Sequence, residues 1–196
     1  MPGIRRLVVS LAIAVFGAAA LSGCVPTATP TPSSTGSATT PPSSASATAS
    51  PTPTPSVTST PITIDCNTLV TPDDMYAFNP NFSLLTTFSP KGGSAAAAAA
   101  SEQGLACRWT NGTSGDNIDI SVAHLDAASI TALKDQAVEA STMVPTYGDE
   151  AYFSTKSGVG TATVFQGDYW LVATSVDFLE PGDPADLITA ALGALT

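Results

Sequence analysis

Between Val25 and Pro61 the chain is built almost wholly from Pro, Ser, Thr and Ala, without one charged or aromatic residue. Val25 and Val57 are its only larger apolar side chains. Such a segment cannot bury enough apolar surface to offset the entropy of ordering it, so a disordered linker is expected. Its prolines favour extended polyproline geometry, with a reach of roughly 115 Å at about 3.1 Å per residue. The same Ser/Thr-with-Pro composition is that of O-glycosylated stalks. This segment divides the chain into a leader at 1–23, Cys24 with the linker at 24–61, and one domain at 62–196. Only the last part has the composition of a packed core.

The leader has three zones: a short start carrying Arg5 and Arg6, an apolar run from Leu7 to Leu21, and small residues ending at Cys24. That order is a secretory signal. The run is shorter than the roughly 20 residues that a permanent membrane span requires. Leu21-Ser22-Gly23-Cys24 resembles the lipobox of bacterial lipoproteins. The resemblance implies cleavage before Cys24, acylation of its sulfur with palmitate-type chains, and residence at the extracytoplasmic face of the cell membrane. Two chains anchor stably where one binds only marginally.

Removing Arg5 and Arg6 leaves four basic residues against sixteen acidic ones. No basic patch exists, so nucleic acid is excluded as a partner. With Cys24 assigned to the anchor, Cys66 and Cys107 remain as an even pair in an oxidising compartment, for which a disulfide is the economical reading. A two-cysteine metal site lacks further soft ligands, since His124 is the single histidine.

Periodicity and punctuation predict an α+β domain: one antiparallel sheet of about five strands, with helices mainly on one face. Thr71-Pro72-Asp73-Asp74 starts a helix over Pro72–Phe78. Asn81–Gly93 reads as a loop, and the six alanines after Ser94 as a short helix or a low-complexity loop. Strands are expected at Leu105–Asn111, Asn117–Leu125, Ala151–Thr155, Gly160–Phe165 and Asp168–Val176. Cys107 and Trp109 share a strand face, expected buried. Asp126 caps a helix over Ala127–Ser141 with Ile130, Leu133, Ala137 and Val138 on its inner stripe. Asp183 is expected to cap a last helix from Pro184 to Leu195.

Asp65-Cys66-Asn67-Thr68-Leu69-Val70-Thr71, Gly104-Leu105-Ala106-Cys107-Arg108-Trp109 and Tyr147-Gly148-Asp149-Glu150-Ala151 together resemble a group of actinobacterial lipoproteins of unknown function. Their domains carry a "C-x-x-L-x-T … C-x-W … G-D-x-A" pattern. The likeness covers about Asp65 to Leu195. It implies a Cys66–Cys107 disulfide, an α+β domain and display at the cell surface, and no known activity.

Local catalytic motifs are missing: no G-x-S-x-G, no phosphate loop and no H-E-x-x-H occur. Gly158-Val159-Gly160 is a turn with no helix after it, not a dinucleotide fingerprint. Asp116 with Asp119, and Asp149 with Glu150, are hard-oxygen pairs without EF-hand spacing, and turn capping accounts for them. His124 falls on a strand's apolar face and reads as a packed residue. The expected protein is a monomeric, non-enzymatic envelope lipoprotein. It needs no cofactor or metal, and binds the membrane through Cys24 and an unidentified envelope protein or ligand through its domain. The alternative is a hydrolase-like envelope enzyme without a local motif. The folded part is too small for the two lobes of a transport solute-binding protein.

Overall fold

A computed structural model describes residues 59–196. The expected leader, Cys24 as the expected lipidation site and nearly all of the expected linker lie outside the described residues. Chain order is α1 (Cys66–Leu69), α2 (Pro72–Phe78), β1 (Phe82–Leu84), α3 (Ala95–Ser101), β2 (Leu105–Asn111), β3 (Asn117–His124), α4 (Ala127–Ala140), β4 (Thr142–Met143), β5 (Glu150–Lys156), β6 (Val159–Gln166), β7 (Tyr169–Ser175) and α5 (Ala185–Gly193). The strands form one antiparallel sheet in the order β1-β2-β3-β7-β6-β5-β4. Thr60 adds one isolated bridge to His124.

Local chemistry sets the helix starts. Thr71 and Asp74 form a reciprocal capping box with Pro72 in the first turn. The side chains of Asp65, Ser94 and Asp126 accept from the backbone N–H three residues on, at 2.9, 3.1 and 2.8 Å. The expected cap at Asp183 is not one: α5 starts from Pro184 with no side-chain cap. The Asp183 carboxylate instead accepts from the N–H groups of Leu179 and Glu180, at 2.7 and 2.8 Å, closing the preceding turn.

The sheet has seven strands rather than about five. β1 lies inside the stretch expected to be a loop, and β4 has two residues. Neither is long enough to display a period of two. The helices also cover both faces, not mainly one. Ile118, Ile120, Val122, Leu171, Ala173, Ala162 and Val164 face one core, packed with Leu69, Met75, Leu187 and Ile188 from α1, α2 and α5. Ala123, Trp170, Val172, Phe165 and Tyr152 face the other, with Ala99, Ile130 and Ala137 from α3 and α4. The cause is visible in β7, where Trp170, Leu171, Val172 and Ala173 are all buried, so both faces need a cover. β7 is the central strand, as its unbroken apolar run predicts.

The Cys66–Cys107 disulfide ties α1 to β2 across 41 residues, with its Cα atoms 5.6 Å apart. Trp109, 2% exposed, lies on the same strand face and in the same core as Cys107. In α4, Ile130 and Ala137 are buried and Leu133 is half-buried, while Val138, expected on the inner stripe, is 58% exposed.

Candidate functional site: a groove between two helices

On the second face of the sheet, α3 packs over β2 and β3, and α4 over β5 and β6. β7 runs between β3 and β6, and its Trp170 and Val172, 7% and 3% exposed, share a core with Ala99 of α3 and Ile130 and Ala137 of α4. Between the two helices runs a groove with the edges of Trp170 and Val172 at its base.

Three adjoining cavities of about 240, 210 and 250 Å³ mark its length. The first two share Ala95, Thr161 and Val172, and the second and third share Leu133, Gln136 and Trp170. The alanine run opens one wall. Ala96 and Ala99 are buried, and Ala95 and Ala98 turn toward the groove with nothing beyond a methyl group. Gly104 lets α3 sit this close to β3. A Cβ there would lie 2.3 Å from the Val122 carbonyl oxygen and 2.7 Å from that of Ala99.

The floor changes character along its length. At one end, strand register puts Ser154, Thr161 and Thr174 side by side on β5, β6 and β7, followed by Asp119 on β3 and Arg108 on β2. The hydroxyls of Ser154, Thr161, Thr163 and Thr174 make no hydrogen bond within the described residues. At the other end the lining is Trp170, Leu133, Leu125, Ala98 and Ala132, with Ser101, Ser129, Glu102 and Gln136 at the rim.

The charges beside the groove are engaged. Arg108 donates from Nε and Nη2 to the two carboxylate oxygens of Asp119, at 2.6 and 2.7 Å. Its guanidinium lies 4.3 Å from the Phe88 ring centroid. The hydrogen bond to Asp119 raises the Arg108 pKa further. Lys134 on α4 sits 2.8 Å from Glu150, whose other oxygen accepts from the Tyr152 hydroxyl. Lys134, then Tyr152, hold the Glu150 carboxyl below its ordinary value. The hydrogen bond to Glu150, reinforced by burial, pushes the Tyr152 hydroxyl up to about 12. Lys91 and Lys156 are exposed and line none of the groove.

The residues singled out from the sequence fall elsewhere. Cys66 and Cys107 lie in the opposite core. His124 is half-buried against Tyr169, edge-on at 4.8 Å, beside the entering chain and the C-terminus. Asp149 accepts from the Gly167 N–H at 2.9 Å, and Asp119 is occupied by Arg108. Among the described residues, no group of three His, Cys, Asp or Glu is placed to hold a metal ion. Tyr147, pushed up to about 12 by burial, donates to the Pro181 carbonyl at 3.2 Å. The groove residues form no local motif, because the site is assembled by register across strands distant in sequence. The one signal in the chain is Thr161-x-Thr163 on a strand whose other face is apolar.

No protein family, curated protein or solved structure matches the chain. No helix among the described residues is long and apolar enough to cross a membrane.

Proposed function

We propose that this chain is a non-enzymatic binding module, anchored at the extracytoplasmic face of the cell membrane through Cys24. It offers the α3–α4 groove to a ligand of the cell envelope. What supports the reading is the space between α3 and α4: a concave strip with partly apolar walls and four hydroxyls that make no hydrogen bond among the described residues. Binding rather than catalysis fits the chemistry of the walls. Tyr147 and Tyr152 stay protonated at neutral pH, Lys134 and Arg108 are ion-paired, and His124 belongs to the opposite face. Among the charged groups lining the groove, Asp119 is taken up by Arg108, and the Glu102 carboxylate stands at the rim. The anchor rests on the lipobox resemblance and on the uncharged linker that follows it.

The test has two arms. Cys24→Ala is expected to move the protein from the membrane fraction to the medium, or to leave an unprocessed precursor. The disulfide-intact protein and its Ala95→Phe variant, whose added ring fills the groove, are incubated with envelope extract and compared by native mass spectrometry. A ligand carried by the wild type and absent from the variant is expected. Identical spectra for both would remove the groove from the reading.

A further inference from the structure

Resting on the groove reading above, we infer that the ligand is a membrane-derived neutral amphiphile: an acylated polyol or sugar with one apolar chain and an uncharged hydroxylated head. The head lies on the row Ser154, Thr161 and Thr174, and the chain follows the cavities between α3 and α4, past Leu133, Ala98 and Ala132 and the edge of Trp170.

Neighbouring strands set those hydroxyls about 4.8 Å apart, and each both donates and accepts. That is the complement of a second set of hydroxyls. A carboxylate, sulfate or phosphate head is matched by Arg, Lys or backbone N–H groups. The two cations beside the groove are held by Asp119 and Glu150, and the excess of acidic over basic residues repels anions further. A charged head would lose its water without gaining a partner.

An extended peptide fits less well. The floor is a sheet face, so the backbone groups beneath it are already paired in the ladders on either side of β7. A peptide's amides would find hydroxyls at one end and only Trp170, Leu133 and Leu125 at the other. Amides left unpaired there carry a desolvation cost, whereas an alkyl chain has nothing to satisfy. A free sugar covers the hydroxyl row and leaves the cavity beside Leu133 and Ala98 unfilled. An amphiphile fills both.

The probes are mono-octanoylglycerol below its micellisation concentration, octyl sulfate, glycerol, and an uncharged Pro/Ser/Thr/Ala peptide. Binding is read by Trp170 fluorescence in a Trp109→Phe background, and by nuclear magnetic resonance shifts in the otherwise wild-type chain. Mono-octanoylglycerol is expected to bind at least tenfold more tightly than octyl sulfate or glycerol. Thr161→Val with Thr174→Val, which keep side-chain shape, should weaken it at least tenfold and leave octyl sulfate unchanged. Ala95→Phe and Ala98→Phe should each abolish it, with unchanged circular dichroism showing that they fold. Equal binding of octyl sulfate or glycerol, preference for the peptide, or no effect of the double valine variant overturns the assignment. If envelope extract yields a different ligand displaced by Ala95→Phe, the ligand class is wrong and the groove stands. If no probe and no extract component distinguishes Ala95→Phe from wild type, the groove itself falls.

Discussion

Reduction of the Cys66–Cys107 bond is the perturbation whose size follows most directly from the chain's own dimensions. The bond closes a loop with a sequence separation of 41. The chain-entropy relation gives about 13 cal/mol/K for that loop, or about 4 kcal/mol at 25 °C, gained by restricting the unfolded ensemble. Cys66 belongs to a one-turn helix and Cys107 to the second strand of the sheet, so the bond also pins α1 to a core whose remaining contacts there are Leu69 and Val70. For a domain of this size, about 4 kcal/mol corresponds to a melting-temperature loss on the order of 10–15 °C. The assay is guanidinium unfolding of the oxidised protein, the protein held reduced, and the Cys66→Ala/Cys107→Ala variant. Both bond-free forms are expected to lose about 4 kcal/mol, with a steeper denaturant slope because their unfolded chains expose more surface. The two forms bracket the small cavity that alanine leaves at Cys107. A loss below about 1 kcal/mol in both would refute the reasoning, since neither chain entropy nor the anchoring of α1 would then be limiting.

Four other outcomes follow. Trp109→Phe removes the single buried side-chain donor among the described residues that lacks a partner, so the loss of ring volume is offset, and unfolding free energy should change by under about 1.5 kcal/mol instead of the 3–5 kcal/mol of a buried Trp→Ala change. Gly104→Ala drives a methyl group into two backbone carbonyls, and should destabilise by about 2–4 kcal/mol while displacing α3 and weakening groove binding, as read by thermal melts and probe titration. Glu150 has its folded pKa lowered, so its contribution is full above the ordinary carboxylate pKa and is lost as pH falls through the folded value; acid melts of Lys134→Met, which lacks the main cause of that shift, should show a smaller stability loss below about pH 4.3 than wild type. Tyr147 and Tyr152 have raised folded values, so their contribution is full below about pH 10 and is lost toward about 12; Tyr152→Phe should flatten the alkaline decline, measured by denaturant melts between those limits.

Much of the fold is legible because its long elements satisfy local rules. The Thr71–Asp74 capping box and the cap at Asp126 are written in side chains next to the groups they bond. The alternation of Ile118, Ile120 and Val122 and the turn at Gly167, with φ +55, place β3 and the β6–β7 hairpin. β1 is illegible for a different reason. Phe82, Ser83 and Leu84 are extended because Asn111, Thr110 and Trp109 lie opposite them, and that pairing is settled by tertiary contacts, not by the three residues. The placement of helices on both faces is hidden in the same way. Ala123 on β3 and Thr163 on β6 read as ordinary outward positions until β7 brings Trp170 and Val172 between them.

The groove is less legible still, because its defining property is a space that two helices leave between them. Ala95–Ala100 has the best helix propensity available, and propensity alone says nothing of what those methyl groups face. Its consequence appears only when α3 is set beside α4: bulky side chains on the α3 wall would have met Leu133 and filled the space between the helices, whereas alanine leaves it open. Gly104 works in the same direction, since close approach of α3 to β3 draws that wall away from the middle of the sheet. A run that looks like low complexity in one dimension thus becomes a wall in three. The neutral floor extends that logic, because Asp119 answers Arg108 and Glu150 answers Lys134 at the two flanks. Within residues 62–196, sixteen acidic residues stand against four basic ones, yet the central lining of the groove carries no charge, so selection among ligands falls to hydroxyl pairing and apolar contact.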